Sequence, residues 1–255
     1  MNILITICGR AGSKGVKNKN FRDFLGIPLI NYTLAAANLF KKRNPNYNID
    51  ISINTDSQDL LTMFSENRDV VCIKRPQELA TDNSPKVPVI RYSLNYSEEK
   101  FNKTYDYVID LDITSPLRKL EDIENALNKI IANSETDVVF SAVHSRRNPY
   151  FNMVEKRDGK IQKIIASNFV ARQEAPQVYD MNASIYCYRR NSLLNVLKNT
   201  PLDGNYDITI MKDTAVLDID SEEDHALMQI LAQHFFKSEF AQLYEYAKAY
   251  SATSK

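Results

Sequence analysis

Short apolar runs alternate with helix-patterned segments through the first 143 residues, and this constrains the chain more than any other feature. The runs cover residues 2–8, 49–54, 70–74, 107–111 and 137–143. Helical patterning fills the gaps. One helix opens at Pro28 and reaches about Lys42, with proline well suited to the first turn, and others start at Ser57, cover 86–96 and cover 121–131. Such alternation specifies an α/β fold with a mainly parallel sheet. Ligands of these sheets lie beyond the carboxyl ends of the strands.

The rhythm breaks after residue 143. Residues 151–155 and 160–165 read as two strands around an Asp158-Gly159 turn, inside a stretch, 146–182, rich in Arg, Gln, Asn and Pro. Strand character returns at 184–188 and 214–217. A last helix begins at Ser221-Glu222 and is expected to run past Phe236 into the aromatic tail "FAQLYEYAKAY". Apolar residues at helical spacing in that tail imply packing against the chain's own core or against another subunit. The division expected is an α/β domain from 1–145 and 183–237, an inserted arm at 146–182, and a helical tail at 238–255.

Charge excludes some partners. The chain has 32 basic and 32 acidic residues, so no overall field draws it to nucleic acid or an anionic membrane. No apolar run approaches the ~18 residues of a membrane span, and the first run lacks the flanks of a signal peptide. Three cysteines, Cys8, Cys72 and Cys187, are odd in number and far apart, which fits a reducing, cytoplasmic location.

Two patterns carry chemistry. "GRAGSKG" follows the first strand and holds three of the six glycines, with Arg10, Lys14, Lys17 and Lys19 close together. Glycine lets backbone N–H groups approach an anion, and the cations neutralise it. The spacing, GxxGxxG, is neither a Walker A loop nor a dinucleotide fingerprint. The second pattern is Asp-x-Asp at a strand end, which occurs twice, at Asp110/Asp112 and at Asp218/Asp220. Alternate residues of a strand share a face, and paired carboxylates with open positions suit Mg²⁺. Spacing alone does not choose between the pairs. His144, His225 and His234 form no metal cluster, and His225 reads as structural. No nucleophile elbow is present, so covalent catalysis has no support.

"GRAGSKGVKNKN", "INTDS", "KRPQELATD", "LDITSPLR", "ARQEAPQVYDMNASIY" and "LDIDSEED" occur in that order. Together they resemble the acylneuraminate cytidylyltransferases, the CMP-sialic acid synthetases, from residue 2 to about 232. The likeness is strongest to members that activate legionaminic acid or a related nonulosonate. The resemblance implies a nucleotide-diphospho-sugar-transferase-like α/β domain with a small dimerisation arm. It implies a homodimer or a higher homo-oligomer, with CTP and a nonulosonic acid as substrates and Mg²⁺, or Mn²⁺ in its place, as cofactor. By position it puts Arg10, Gly12, Ser13, Lys14, Lys19 and Asn20, with Arg75, Ala80 and Asp82, on the nucleotide. It selects Asp218 and Asp220 as metal ligands, and gives catalytic roles to these two with Arg10 and Lys14. It puts Asp112, Thr114, Ser115, Arg118, Arg172, Gln177, Tyr179 and Asn182 on the sugar.

Three departures bear on the sugar. Asp112 stands where sialic acid enzymes often carry Gln, and an ionised acid cannot donate a hydrogen bond. Asn182-Ala183 replaces the usual Asn-Gly, implying a slightly filled pocket. Residues 144–154 differ from the sialate pattern, and Arg146, Arg147, Tyr150 and Phe151 could shape recognition of an altered side chain. The alternatives are a 3-deoxy-manno-octulosonate cytidylyltransferase, a GT-A-type glycosyltransferase, and a non-catalytic nucleotide-binding protein.

Overall fold

A computed structural model describes residues 1–12 and 15–253 of the chain; the expectations for Ser13 and Lys14 lie outside the described residues. The core of the fold is a seven-stranded sheet in the order β11-β7-β10-β6-β1-β4-β5. Its strands are β1 (Asn2–Cys8), β4 (Asn48–Thr55), β5 (Val71–Lys74), β6 (Tyr107–Leu111), β7 (Val138–His144), β10 (Tyr179–Arg189) and β11 (Tyr206–Ile210). A small hairpin, β2 (Asp23–Phe24) with β3 (Ile27–Pro28), follows the first loop. The pair β8 (Val154–Arg157) and β9 (Lys160–Lys163) forms the arm hairpin, with Gly159 at φ +78° in its turn.

All pairings in the large sheet are parallel except those of β10, which runs against both β6 and β7. Ile3, Leu4, Ile5 and Ile7 of β1 are fully buried, as a central parallel strand covered on both faces requires. After β1 the chain builds β4 and β5 on one side, then crosses back to place β6 on the other. The gap between β1 and β6 is therefore a topological switch point, where loops diverge and leave a crevice.

Helices α1 (Leu29–Arg43), α2 (Gln58–Met63), α3 (Lys86–Phe101), α4 (Leu120–Ala132) and α5 (Arg190–Asn195) connect the strands. Ser57 caps α2 by accepting from the Leu60 N–H. Two further helices, α6 (Glu222–Phe235) and α7 (Ala241–Thr253), close the fold. Ser221 and Asp224 form a reciprocal capping box at the start of α6: Ser221 Oγ accepts from Asp224 N at 3.1 Å, and Asp224 Oδ2 accepts from Ser221 N at 2.8 Å.

Three sequence expectations are corrected. Residues 214–217 are not a strand. A single 3-10 turn, Asp213–Val216, stands there, and the outer strand of the sheet is β11, which the sequence reading missed. Its five residues, Tyr206 to Ile210, do alternate apolar and polar, but the run is short and its apolar side stays largely exposed at Tyr206 and Ile210. The last helix does not run on past Phe236. It breaks, and α7 folds back on α1, with Phe236 stacked on Tyr32 at 5.3 Å and on Tyr244 at 4.8 Å between ring centroids. The aromatic tail thus packs on the chain's own core, with Phe240, Leu243 and Ala247 buried. Finally, β10 is far longer than 184–188. It starts at Tyr179, within the stretch assigned to the arm, and is bulged between Met181 and Tyr186. Ala183 takes a left-handed φ of +53° at this irregularity, which is the conformation that suits glycine.

Candidate active site

A cavity of 420 Å³ opens at the switch point. Gly9, Arg10, Gly15, Lys19 and Asn20 line one wall, and Asp112, Thr114, Asp218 and Asp220 line the other. Three segments distant in sequence are joined here by specific contacts. The Ile219 N–H donates to the Thr114 carbonyl at 3.1 Å, which pins the segment between the two aspartates beside the end of β6. Lys19 Nζ lies 2.8 Å from Asp220 Oδ1. A β-carbon on Gly15 would stand 1.8 Å from the Asp220 carbonyl oxygen, and one on Gly9 would stand 2.7 Å from Ile113 Cδ1 and 2.8 Å from Asn20 Nδ2. These two glycines serve close approach, whereas Gly12 serves a left-handed turn at φ +70°.

The loop after β1 is held from three sides. Asn20, buried, donates to the Arg10 carbonyl at 2.8 Å. Asp56, just beyond β4, accepts the Ala11 N–H at 2.7 Å. The Arg10 guanidinium meets Asp82 Oδ1 at 2.7 Å, bringing the "RPQELATD" segment to the loop. Ala80 ends the 3-10 turn Gln77–Leu79 of that segment. Arg75 turns inward and donates to the Asn54 side chain and carbonyl at 2.7 and 2.9 Å, bracing the end of β4.

The acidic wall is electrostatically loaded. Burial, then Asp220 and Asp112, push the Asp218 carboxyl above the ordinary aspartate range. A cation offsets such a cluster. Among the described residues no group of three or more His, Cys, Asp or Glu side chains is gathered for a metal. Two carboxylates with open positions nonetheless fit Mg²⁺, which completes its shell with water and phosphate oxygens. The pair Asp110/Asp112 is employed differently. Asp110, at the end of β6, is fully buried and accepts from Thr6 Oγ1 at 2.7 Å. Lys86 Nζ bridges Asp110 and Asp112 at 2.8 and 2.6 Å.

The residues matched to the sugar do not all meet. Asp112 and Thr114 line the cavity. Ser115 is buried, and its hydroxyl has no hydrogen-bond partner among the described residues. Arg118 is a correction: it is 2% exposed, and its guanidinium is spent on the carbonyls of Ser115, Ser184 and Asp112. Burial brings its pKa down to about 10 against the pull of Asp112, Asp110 and Asp122. Asn182 is likewise internal, accepting from Ser141 Oγ at 2.6 Å and donating to the Ala215 carbonyl at 2.9 Å. Arg172 and Gln177 line a second cavity at the root of the arm with His144, Arg146 and Asp213. Arg172 donates to the Ser145 carbonyl at 2.7 Å, and Tyr179 to Gln177 at 2.9 Å. Asp56 and Lys86 escaped the sequence reading. Only Asp56 had a local signal, its place after an apolar strand in "INTDS".

Residues 4–234 match the family described as Cytidylyltransferase. This chain belongs to that family. The cytidylyltransferase is 40% identical over 229 residues to the post-translational flagellin modification protein B of Campylobacter coli, covering 90% of this chain and 94% of that one. It is 39% identical over 232 residues to the CMP-N,N'-diacetyllegionaminic acid synthase of Campylobacter jejuni, with the same coverage of 90% and 94%. Among solved structures it is similar to CMP:2-keto-3-deoxy-manno-octonic acid synthetase complexed with CTP, with a TM-score of 0.65 at 14% identity over 92% of this chain and 99% of that one. At that identity the likeness concerns the fold. The cytidylyltransferase is a nucleotidyltransferase with a mostly parallel α/β nucleotide-binding fold. No helix among the described residues is long and apolar enough to cross a membrane.

Proposed function

We propose that the cytidylyltransferase joins CTP to a nonulosonic acid of the legionaminic type, giving a CMP-sugar and pyrophosphate. The observation that carries this reading is the meeting of the glycine-rich loop and the Asp218/Asp220 segment across one cavity, through Gly15 and Lys19. The loop offers backbone donors and the Arg10 charge to a triphosphate, and the opposite wall offers acidic groups to a cation. Two relatives support the sugar class. The Campylobacter jejuni protein and a Legionella pneumophila protein, 26% identical over 235 residues, are both named CMP-N,N'-diacetyllegionaminic acid synthase.

In this reading the anomeric 2-hydroxyl of the sugar attacks the α-phosphorus in line and pyrophosphate departs. Arg10 and Lys14 stabilise the charge that builds on the phosphates. Lys19 and Asn20 keep the loop against the acidic wall. Asp218 and Asp220 would hold Mg²⁺, which when bound polarises phosphate oxygens and lowers the pKa of the hydroxyl. Positioning and electrostatics supply most of the rate in such transfers.

A homodimer is part of the proposal. The arm hairpin exposes Val154 and Ile161 at 61% and 67%, and Val170 beyond it at 82%, which is apolar surface that a second copy would cover. The free thiols Cys8, Cys72 and Cys187 support a reducing, cytoplasmic location.

The test is pyrophosphate release with CTP and Mg²⁺ across legionaminate, N-acetylneuraminate, pseudaminate and 3-deoxy-manno-octulosonate. The diacetylated legionaminic acid is expected to give the highest kcat/KM. A folded protein that releases no pyrophosphate with any of the four would overturn the reading.

A further inference from the structure

Lys86 is the first residue of α3, a poor place for a cation because the helix N-terminus is itself the positive end of the dipole. Its ammonium is nevertheless drawn inward, between Asp110 Oδ2 at 2.8 Å and Asp112 Oδ2 at 2.6 Å, and 5.3 Å from the centre of the Tyr186 ring. Burial lowers the Lys86 pKa, and Asp110 and Asp112 reverse this and raise it well above the ordinary lysine value. Burial likewise pushes the Asp112 carboxyl up, and Lys86 with the two Thr114 hydrogen bonds overrides that and holds it well below the ordinary range. Thr114 fixes the other oxygen: its N–H and Oγ1 donate to Asp112 Oδ1 at 3.0 and 2.9 Å. Arg118 adds a second cation close by. Two carboxylates and two cations thus form a locally neutral group. One edge of it, Asp112, is 19% exposed and faces the cavity that also holds Asp218 and Asp220.

Without Lys86 that cavity would set three carboxylates against an anionic nucleotide and an anionic sugar. We infer that Lys86 is a positioning residue for sugar recognition: its ammonium locks Asp112 in one orientation and cancels its charge. A sugar carboxylate can then approach, and Asp112 presents its one remaining acceptor site, on Oδ2, to an N–H or O–H of that sugar. The inference rests on the proposed transfer to a nonulosonic acid. It also assigns Asp112 to the sugar and not to a second cation, since the ammonium already occupies the face of Asp112 turned toward Asp110.

The experiment measures KM for CTP and for the preferred nonulosonic acid separately, in Lys86→Met. A Lys86→Met/Asp110→Asn variant removes one charge of each sign and serves if the single variant does not fold. Either one is expected to raise the sugar KM about tenfold, with the CTP KM within about twofold. Adding Asp112→Asn, which keeps one acceptor oxygen but no charge, is expected to bring the sugar KM back toward the wild-type value. A folded variant with an unchanged sugar KM, equal rises for both substrates, or no rescue by Asp112→Asn would each overturn the role of Lys86. A wild-type protein that releases no pyrophosphate would overturn the transfer reading instead, and this inference with it.

Discussion

The Asp220 carbonyl oxygen occupies the space that a side chain on Gly15 would need: a β-carbon there would lie 1.8 Å from it. The last residue of the glycine-rich loop is therefore pressed directly onto the backbone of the acidic segment. Nothing but glycine fits without moving one of the two, and each carries half of the site.

Gly15→Ala is accordingly expected to displace the loop or the Asp218/Asp220 segment. Misplacement by about 1 Å costs on the order of 100-fold in rate, so kcat/KM for pyrophosphate release is expected to fall by about that factor while far-UV circular dichroism is unchanged. A rate within twofold of wild type would show that the contact is not needed for catalysis.

Asp220→Asn removes an exposed carboxylate that raises the pKa of Asp218. Its ion pair with Lys19 is largely solvated, because the Asp220 side chain is 69% exposed, so its loss costs about 0–1 kcal/mol. Stability is expected to hold, and pyrophosphate release to fall at least about 100-fold with a higher Mg²⁺ requirement. Chelation of divalent ions is expected to abolish wild-type activity. A variant with wild-type turnover would remove the metal assignment.

Ala183 sits in the left-handed region at φ +53°. An L-residue there costs about 1–2 kcal/mol, partly offset in glycine by the greater freedom of its unfolded chain. Ala183→Gly is expected to stabilise the protein by about 0.5–1 kcal/mol, read as a higher midpoint in urea with the same slope. A lower midpoint would mean that the alanine methyl contributes packing that outweighs the strain.

Glu239, in the connection between α6 and α7, meets Lys119 Nζ at 2.7 Å and Lys212 Nζ at 2.5 Å. The hydrogen bonds from Lys119 and Lys212 hold its pKa down to about 2 from an ordinary 4.5. A depressed acid stabilises the fold above its unfolded value and loses that contribution as pH falls through the folded one. Glu239→Gln is expected to be less stable than wild type at neutral pH, with the two converging between pH 4.5 and pH 2. Thermal melts across that range check it, and a gap that persists at the acid end would rule it out.

The sequence by itself determined the fold class, because buried parallel strands must be apolar throughout and the helices between them must carry one apolar face. The apolar run ending at Cys8 and its glycine-rich loop therefore marked where a ligand could lie before any coordinates. The loop and the two Asp-x-Asp pairs were equally legible as residue types suited to phosphate and metal. Their roles were not, since spacing cannot tell a carboxylate left open to a cavity from one that already holds a lysine. Only the tertiary structure put Lys86 between Asp110 and Asp112, and turned Arg118 and Asn182 inward to serve backbone and side-chain partners. Only it pressed Gly15 against Asp220, 205 residues away in the chain. Local sequence encodes periodicity and turn chemistry, whereas the charge and accessibility of a side chain depend on what the rest of the chain packs beside it.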